Sequence, residues 1–382
     1  MVKALRLKII VGLALALVAG SVSAAERPQV QARQVRVAII DDIASIRLKI
    51  KGYYEIIDPA TGKVLYQGRN IRTTVMGYKD GILLAGRGFS LRRILIKADD
   101  PEAFLIDDRN FRGNTEIIKN NLGHLLLVNH IDLEDYIKGI LYHEASHYWP
   151  EEALKAQAVA CRTYALYEMQ ENSKRDYDLT SDIYSQVYGG KFSERYRTNK
   201  AVDDTAGEVL YYKGKIFPTY YHATCAGYTE DAGELWNINL APLKGVACGF
   251  CKDSPHYRWH NVISTEEFLE KLQGAGYKIK NIKDVIPVDK DKSGRYRSLK
   301  VVSGIGSTDI SVKDLRNIVG PNIIKSAIFE VKIAAGDIVF EGLGWGHGVG
   351  LCQWGAYFMA KQGHAYQEIL KYYYPESNVA TF

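Results

Sequence analysis

The sequence predicts an α+β fold, in which a β-rich N-terminal part precedes a part of mixed helices and strands. Between about residues 30 and 130, short apolar or alternating runs are separated by turn residues such as Thr61-Gly62 and Asp80-Gly81. Helical periodicity then begins at Asp132, and residues 131–382 alternate between helices and strands. A content of 47% hydrophobic and 24% charged residues is typical of a soluble folded protein.

Residues 1–24 predict an export signal rather than part of the fold. Lys3, Arg6 and Lys8 form a basic start, residues 9–19 an apolar run, and residues 22–24 a cleavage site of small residues. The apolar run is short for a stable membrane span, so cleavage is favoured over retention as an anchor. We therefore expect a protein of the periplasm or cell envelope, without a stable membrane span once the signal is cleaved.

Net charge gives no support for nucleic-acid binding. The chain carries +5, and removing the three cations of the signal leaves +2 (5 − 3). No run of lysines and arginines with interleaved aromatic residues occurs, so we expect no nucleic-acid partner.

The N-terminal strands are predicted from runs of β-branched and aromatic residues between turn signals. The predicted strands are Val35–Ile40, Ser45–Ile50, Val64–Gln67 and Phe104–Ile106.

Helices follow from capping residues and apolar periodicity. Asp132 is a suitable N-cap for a helix from Leu133 to about Ser146, and Pro150 suits the first turn of a second helix that runs to about Gln170. Later helices are predicted at residues 263–274, at residues 352–362 and just before Pro375, with strands and loops between them.

Glu144 ends an apolar stripe on the first predicted helix. Leu133, Ile137 and Ile140 precede it at spacings of three or four residues, so all lie on one helix face. Burial of that face would raise the pKa of the carboxyl, and a protonated acid is what a departing glycosidic oxygen needs. The alternative is an exposed glutamate at a helix end, which the spacing alone favours.

Lys155 and Arg162 lie seven residues apart and share a face of the second helix. They would either bind substrate oxygens or be solvated charges, and the spacing leaves both alternatives open.

The cysteine pattern predicts a metal site or a disulfide. Cys225 and the Cys248-x-x-Cys251 pair offer three thiolates, and His256 is the preferred fourth ligand of a structural zinc ion. A disulfide is equally compatible with an exported protein. Cys161 and Cys352 are expected to be buried, and an odd total of five leaves at least one cysteine outside any internal disulfide.

A glycine-rich loop at residues 344–350 opens the helix predicted at 352–362. It matches neither nucleotide-binding motif, so we expect its glycines to let the backbone approach a sugar or another chain segment closely. His347 and Gln353 would then point into a cleft. A structural turn with a satisfied histidine is the alternative.

Five ordered segments resemble the stage II sporulation protein D family, which also includes the amidase enhancers, and the resemblance as a whole covers most of the mature chain. Ala226 departs from the glycine that is usual in the family. The segments are residues 133–164, 180–188, 222–230, 344–356 and 369–375.

The resemblance implies a lytic transglycosylase that cleaves peptidoglycan glycan strands stripped of stem peptides, with its active site in a groove and no cofactor for catalysis. Its essential acid falls on Glu144, and two basic active-site residues fall on Lys155 and Arg162. The alternative is a non-catalytic cell-wall-binding enhancer of an N-acetylmuramoyl-L-alanine amidase, which would then be a partner. Further substrate-binding residues are expected at Asp182, Gln186, His222, His347 and Gln353, and Asp182 or Glu230 would support the oxocarbenium charge.

Overall fold

A large, mainly antiparallel sheet forms the N-terminal part of the computed structural model, which describes residues 33–304 and 306–382. The sheet has the order β11-β1-β10-β9-β6-β2-β3-β4-β5, with β7 paired to β2 and to β8. The β-rich N-terminal part is thus confirmed, while the predicted export signal lies outside the described residues. The strands are β1 Gln34–Ile43, β2 Ser45–Ile57, β3 Val64–Tyr78, β4 Gly81–Leu84, β5 Arg87–Phe89, β6 Arg93–Ala98, β7 Phe104–Ile106, β8 Arg109–Phe111, β9 Asn114–Lys119, β10 Leu125–Asp132 and β11 Leu179–Thr180.

Two helices follow the sheet directly and share its core. Helix α1 spans Leu133–Glu144, and the Asp132 carboxylate caps it by accepting hydrogen bonds from the next backbone N–H groups. Helix α2 spans Glu151–Glu171. The apolar stripe of α1 is buried in one hydrophobic cluster with β1, β2 and β10. Because Ala145 turns to extended backbone, α1 ends on Glu144, slightly before the predicted end.

The rest of the chain packs around α2 and carries an insertion module, which we define as residues 258–343. The elements before the module are α3 Tyr196–Asp204, β12 Glu208–Tyr212, β13 Lys215–Ile216, β14 Tyr221–His222 and α4 Ala232–Trp236. Those of the module are β15 Arg258–Ser264, α5 Thr265–Gly274, β16 Ile282–Lys290, β17 Tyr296–Ser303, β18 Gly306–Ser311, α6 Val312–Val319, β19 Phe329–Ala334 and β20 Asp337–Leu343. The chain closes with β21 Leu351–Cys352, α7 Gln353–Lys361, α8 Tyr366–Tyr373 and β22 Asn378–Thr381.

The insertion module has its own hydrophobic core between two three-stranded sheets, β15-β20-β19 and β16-β17-β18. Arg295, in the turn between β16 and β17, reaches out of the module into the rest of the protein. Its guanidinium is buried and donates to the carbonyls of Tyr228 and Cys225, both at 3.0 Å. This side chain fastens the module to the segment that leads into the cysteine pair.

The glycine-rich loop is packed against other chain segments rather than being open. A Cβ at Gly346 would lie 2.7 Å from His222 Cβ, and one at Gly348 would lie 2.5 Å from Arg295 Cζ. Both glycines also have positive φ angles, of 112° and 91°. We expected these glycines to let the backbone approach either a sugar or another chain segment. The structure shows the close approach to other chain segments.

Arg162 holds α1 and α2 together and does not line a groove with Glu144. Its fully buried guanidinium donates both Nε and Nη2 to the Glu134 carboxylate at 2.7 Å. Glu134 precedes Glu144 by ten residues on α1, about 15 Å along the helix axis. The expectation that Arg162 binds substrate is therefore wrong: burial and a bidentate ion pair remove the guanidinium from any ligand.

Lys155 is likewise engaged within the protein. Its Nζ lies 2.9 Å from Glu151, 3.2 Å from Glu152 and 3.6 Å from Asp204 at the end of α3. The shared face that the seven-residue spacing predicted exists, but it packs against α3. Lys155 thus has carboxylate partners within the protein, and its binding of substrate beside Glu144 stays a prediction.

Replacing Arg162 with methionine should lower the free energy of unfolding by about 3–5 kcal/mol, because Glu134 would be left poorly solvated without its cation. Urea unfolding followed by tryptophan fluorescence measures the change. The double variant Glu134→Leu/Arg162→Met, which removes both charges, should recover much of the loss. A single variant as stable as the parent but weakened in glycan binding would contradict the structural role.

Candidate active site

Glu144 sits at the end of α1 with its carboxyl inside a hydrogen-bonded pocket. Burial raises the pKa of Glu144 to about 7, although the backbone N–H of Val187, the Tyr221 hydroxyl and the Gln353 amide donate to the carboxylate and oppose that rise. The group is thus close to half protonated at neutral pH, as an acid that must both give and take a proton requires.

The Tyr221 hydroxyl is oriented toward Glu144 by Gln186. The Gln186 side-chain amide donates to the Tyr221 hydroxyl at 3.1 Å and to the Cys161 carbonyl at 3.3 Å, while its own oxygen accepts from Tyr136 at 3.1 Å. Because the hydroxyl accepts from Gln186, its single proton is available to Glu144. Gln186 is buried and positions Tyr221.

Gln353, the first residue of α7, approaches Glu144 from the opposite end of the chain. Its side-chain amide donates to the Glu144 backbone carbonyl at 3.0 Å and lies 3.5 Å from the Gln157 side-chain oxygen. Gln157 in turn donates to Cys161 Sγ at 3.2 Å. The structure thus brings two of the predicted residues, Gln186 and Gln353, together around Glu144.

The two histidines support the strand of Tyr221 rather than acting as free bases. His347 Nδ1 accepts the Val349 N–H at 3.1 Å, so Nε2 carries the proton and donates to the Tyr221 carbonyl at 2.9 Å. Burial and the nearby Arg316 cation lower the pKa of His347 to about 3. Burial also holds the pKa of His222 well below its ordinary value, and its Nδ1 lies 3.1 Å from the Val349 carbonyl.

Two further carboxylates lie near the site, and both have partners of their own. Asp182 is exposed, and its Oδ1 accepts from the Thr180 hydroxyl at 2.8 Å and the Tyr184 N–H at 2.9 Å, which orders the loop that carries Gln186. Glu230 is buried and accepts from the Ser293 hydroxyl at 2.8 Å, and burial raises the pKa of Glu230 to about 7.

A pocket of about 680 Å³ opens beyond His347, between the Asp182 loop and the insertion module. Its walls include Tyr184, Trp236, Tyr296 and Arg316. Sequence reasoning missed this pocket, and it also missed Tyr221 and the Val187 N–H as donors to Glu144. Tyr221 directly precedes His222, which was singled out, but nothing in the spacing indicates that its hydroxyl meets Glu144.

Four cysteines form a buried cluster that could hold a metal ion. The sulfurs of Cys225, Cys248, Cys251 and Cys352 all lie within 4.8 Å of one another. Backbone N–H groups of Cys225 and Gly355 donate to Cys352 Sγ at 3.3 Å, an interaction that favours a thiolate. All five cysteines in the described part of the chain are free thiols, and Cys225 Sγ lies 3.5 Å from Cys251 Sγ, well beyond an S–S bond.

His256, the expected fourth ligand, is not part of the cluster, whose fourth member is Cys352. The His256 ring packs edge-on against Trp345 at 4.8 Å and near Trp354 at 6.1 Å. Cys352 follows the glycine-rich loop and reaches the cluster because β21 pairs in parallel with β14. No spacing pattern joins a cysteine 101 residues beyond Cys251 to the pair, so only the fold reveals it.

Comparisons with known proteins agree on one family. The profile of a stage II sporulation protein family matches residues 121–212, and that of a domain of unknown function matches residues 245–350. An uncharacterised protein of Brachyspira hyodysenteriae is 35% identical over 89% of this chain and 91% of its own length. Stage II sporulation protein D of Bacillus subtilis is 32% identical over 66% of this chain and 76% of its own length. The amidase enhancer of the same species is 28% identical over 64% of this chain and 40% of its own length.

Replacing Tyr221 with phenylalanine should raise the pKa of Glu144 above 7, because the carboxylate loses a donor while its burial remains. Infrared difference spectra between pH 5 and pH 9 report the carboxyl band, which Glu144→Gln assigns by removing it. Tyr167→Phe, on α2, is the matched control and should leave the band unchanged. A Glu144 carboxyl that titrates at its ordinary value in the parent protein would contradict the buried geometry.

Proposed function

This chain belongs to the stage II sporulation protein D family, and on that premise we propose that it is an exported peptidoglycan lytic transglycosylase with Glu144 as its general acid and base. The observation that carries the proposal is the carboxyl of Glu144, half-buried at a helix end, with a pKa of about 7 and three hydrogen-bond donors around it. A carboxyl group in such surroundings can give a proton to a glycosidic oxygen and accept one afterwards.

The proposed reaction begins with protonated Glu144. Its proton passes to the oxygen that leaves the anomeric carbon of a muramic acid residue as the glycosidic bond breaks. The Tyr221 hydroxyl, the Gln353 amide and the Val187 N–H then stabilise the carboxylate. The sugar's own 6-hydroxyl bonds to the anomeric carbon and gives its proton to Glu144, which leaves a 1,6-anhydro end and restores the acid.

An internal nucleophile fits the surroundings of Glu144. Glycosidases that use water or a covalent intermediate need a second carboxylate across the scissile bond. Among the described residues, none of the donors to the Glu144 carboxyl is acidic, and Asp182 is engaged by its own loop. Attack by the substrate's 6-hydroxyl requires only one carboxyl group.

The setting of the proposed activity is the cell envelope, and its substrate is glycan strands without stem peptides. The basic and apolar start of the chain supports export. None of the helices in the described residues is both long and apolar enough to cross a membrane.

A non-catalytic enhancer of a cell-wall amidase is the second candidate function, because an amidase enhancer is among the relatives. This chain spans 40% of that relative. A binding protein needs no carboxyl poised near neutral pH, so the surroundings of Glu144 favour the enzyme. The two functions differ in one product: only the enzyme yields anhydro ends from purified strands without an amidase.

Glu144→Gln should abolish the release of 1,6-anhydro ends from denuded glycan strands, because an amide keeps the shape but cannot donate the proton. Mass spectrometry of the products measures the loss, which we expect to be about 10³-fold or more, an order typical of removing an essential general acid. Glu168→Gln is the matched control: Glu168 is another partly buried glutamate whose pKa burial raises, but it lies on α2.

The pH dependence gives a further check of the same assignment. The reaction starts from protonated Glu144, so kcat/KM should be retained below pH 7 and fall as the pH rises through about 7. Full cleavage by the glutamine variant, or a rate that keeps rising above pH 8, would refute Glu144 as the acid.

We also propose that the cysteine cluster binds a structural zinc ion through four thiolates. Four buried sulfurs at mutual contact distances match the closed tetrahedral shell of structural zinc. Such a shell has no position for water, so the ion would join the Cys225 segment, the Cys248–Cys251 turn and the start of α7 without taking part in the chemistry.

The purified protein should contain one zinc ion per chain, and Cys352→Ser should lose it together with several degrees of melting temperature. Elemental analysis and thermal unfolding with and without a strong chelator measure both effects. His256→Ala is the control and should keep the metal, since the His256 ring packs against Trp345 and Trp354. A melting temperature that responds to reductant but not to chelator would replace zinc with a disulfide.

A further inference from the structure

Two of the cations and two of the carboxylates that line the pocket beyond His347 lie outside its internal ion pairs. Its lining contains four acidic and four basic side chains: Glu230, Glu234, Asp291, Asp314, Arg295, Arg297, Lys313 and Arg316. Arg297 pairs with Glu234, and Arg295 lies 3.9 Å from Glu230. Asp291 Oδ1 accepts from the backbone N–H groups of Ser293 at 2.8 Å and Arg295 at 3.1 Å, and Asp314 accepts from the Ser311 hydroxyl at 2.7 Å.

Lys313 and Arg316 are the two cations left over. Within residues 33–304 and 306–382, neither has a carboxylate oxygen within 4.0 Å. They are three residues apart on α6 and thus share a helix face, which also presents Asn317 to the pocket. Helix α6 therefore brings two cations to the pocket, with Asp314 beside them.

Arg316 is held rigidly at the pocket. Its Nε donates to the Ile324 carbonyl at 2.8 Å and its Nη2 to the Lys325 carbonyl at 3.1 Å, while Nη1 has no hydrogen bond among the described residues. Burial lowers the pKa of Arg316 to about 10, which shows that the surroundings compensate its charge poorly. A desolvated guanidinium with only neutral partners is stabilised by an anion that enters the pocket.

Aromatic side chains also line the pocket. The Trp236 ring lies 4.5 Å from the Tyr220 ring and 5.0 Å from the His347 ring, and Tyr296 also lines the pocket. Tyr184, 82% exposed, stands at the rim. Flat aromatic faces in the same pocket as unpaired cations suit a sugar ring that carries an acidic group.

The pocket adjoins the site of the proposed reaction. The loop with Ile183 and Tyr184 at the pocket also provides the Val187 N–H to Glu144, and His347 binds the carbonyl of Tyr221, whose hydroxyl meets Glu144. The pocket and the donors to Glu144 are therefore held by the same loop and the same histidine.

We propose that Lys313 and Arg316 form a subsite that binds the free lactyl carboxylate of a muramic acid residue, so that the insertion module selects strands without stem peptides. In intact peptidoglycan that carboxyl group is an amide and carries no charge. The inference rests on the proposed function for its substrate class, but not on the chemistry at Glu144.

Binding to the Glu144→Gln form of the full mature chain tests the subsite without cleavage. Isothermal titration would compare denuded glycan strands with the same strands after conversion of their lactyl carboxylates to methylamides. We expect the free carboxylates to bind at least about tenfold more tightly, and Lys313→Gln and Arg316→Gln each to remove most of that difference while leaving methylamide binding unchanged. Lys332→Gln, an exposed lysine on β19 of the same module, is the matched control and should keep it.

Equal binding of both strands by the unsubstituted pocket, or no binding of denuded strands, would overturn the proposal even if Arg316→Gln failed to fold. Tighter binding of poly(glycerol phosphate), lost in Lys313→Gln, would overturn the carboxylate as ligand in favour of a phosphate polymer. Anhydro products from a chain that binds both strands equally would sink the subsite and leave the function standing. A preference for the free carboxylate without any anhydro products would support the subsite and refute the proposed transglycosylase activity.

Discussion

The burial of one carboxyl group at the end of a helix is the constraint around which this structure is organised. Glu144 ends α1, whose apolar stripe is fixed in the core of the large sheet, so the backbone of Glu144 has little freedom to move its carboxyl into water. Desolvation alone would make the ionised form costly. The Tyr221 hydroxyl, the Gln353 amide and the Val187 N–H each lower that cost, and the balance leaves a group that titrates near neutral pH.

These three donors come from distant parts of the chain, and much of the remaining fold serves to hold them. Tyr221 is fixed by Gln186 at its hydroxyl and by His347 at its carbonyl. Gln353 is fixed where β21 pairs with β14 and α7 begins. The cysteine cluster joins the same two segments, since Cys225 follows β14 and Cys352 ends β21. A metal ion in the cluster would thus stabilise the positions of β14 and β21, which carry Tyr221 and lead into Gln353.

The insertion module adds lining residues to the pocket beside His347. Arg295 anchors it beneath the glycine-rich loop, where only a residue without a side chain leaves room for the guanidinium. With the module so placed, α6 turns its cations toward the pocket beside His347. Both arginines donate to two backbone carbonyls, but Arg295 also lies 3.9 Å from Glu230, whereas Arg316 has no carboxylate within 4.0 Å among the described residues.

The sequence by itself determined the α+β class, the two helices after Asp132 with the acid at the end of an apolar stripe, the family, and two of the residues beside that acid, Gln186 and Gln353. Periodicity and capping are local properties, so local patterns reveal them. Only the tertiary structure decided which charges are available. A seven-residue spacing places Lys155 and Arg162 on one face but cannot say that this face meets α3 and Glu134. Likewise, Cys352 and Arg316 acquire their surroundings from segments far away in the chain, because ion pairs, metal clusters and pockets depend on distances in space that sequence separation does not encode.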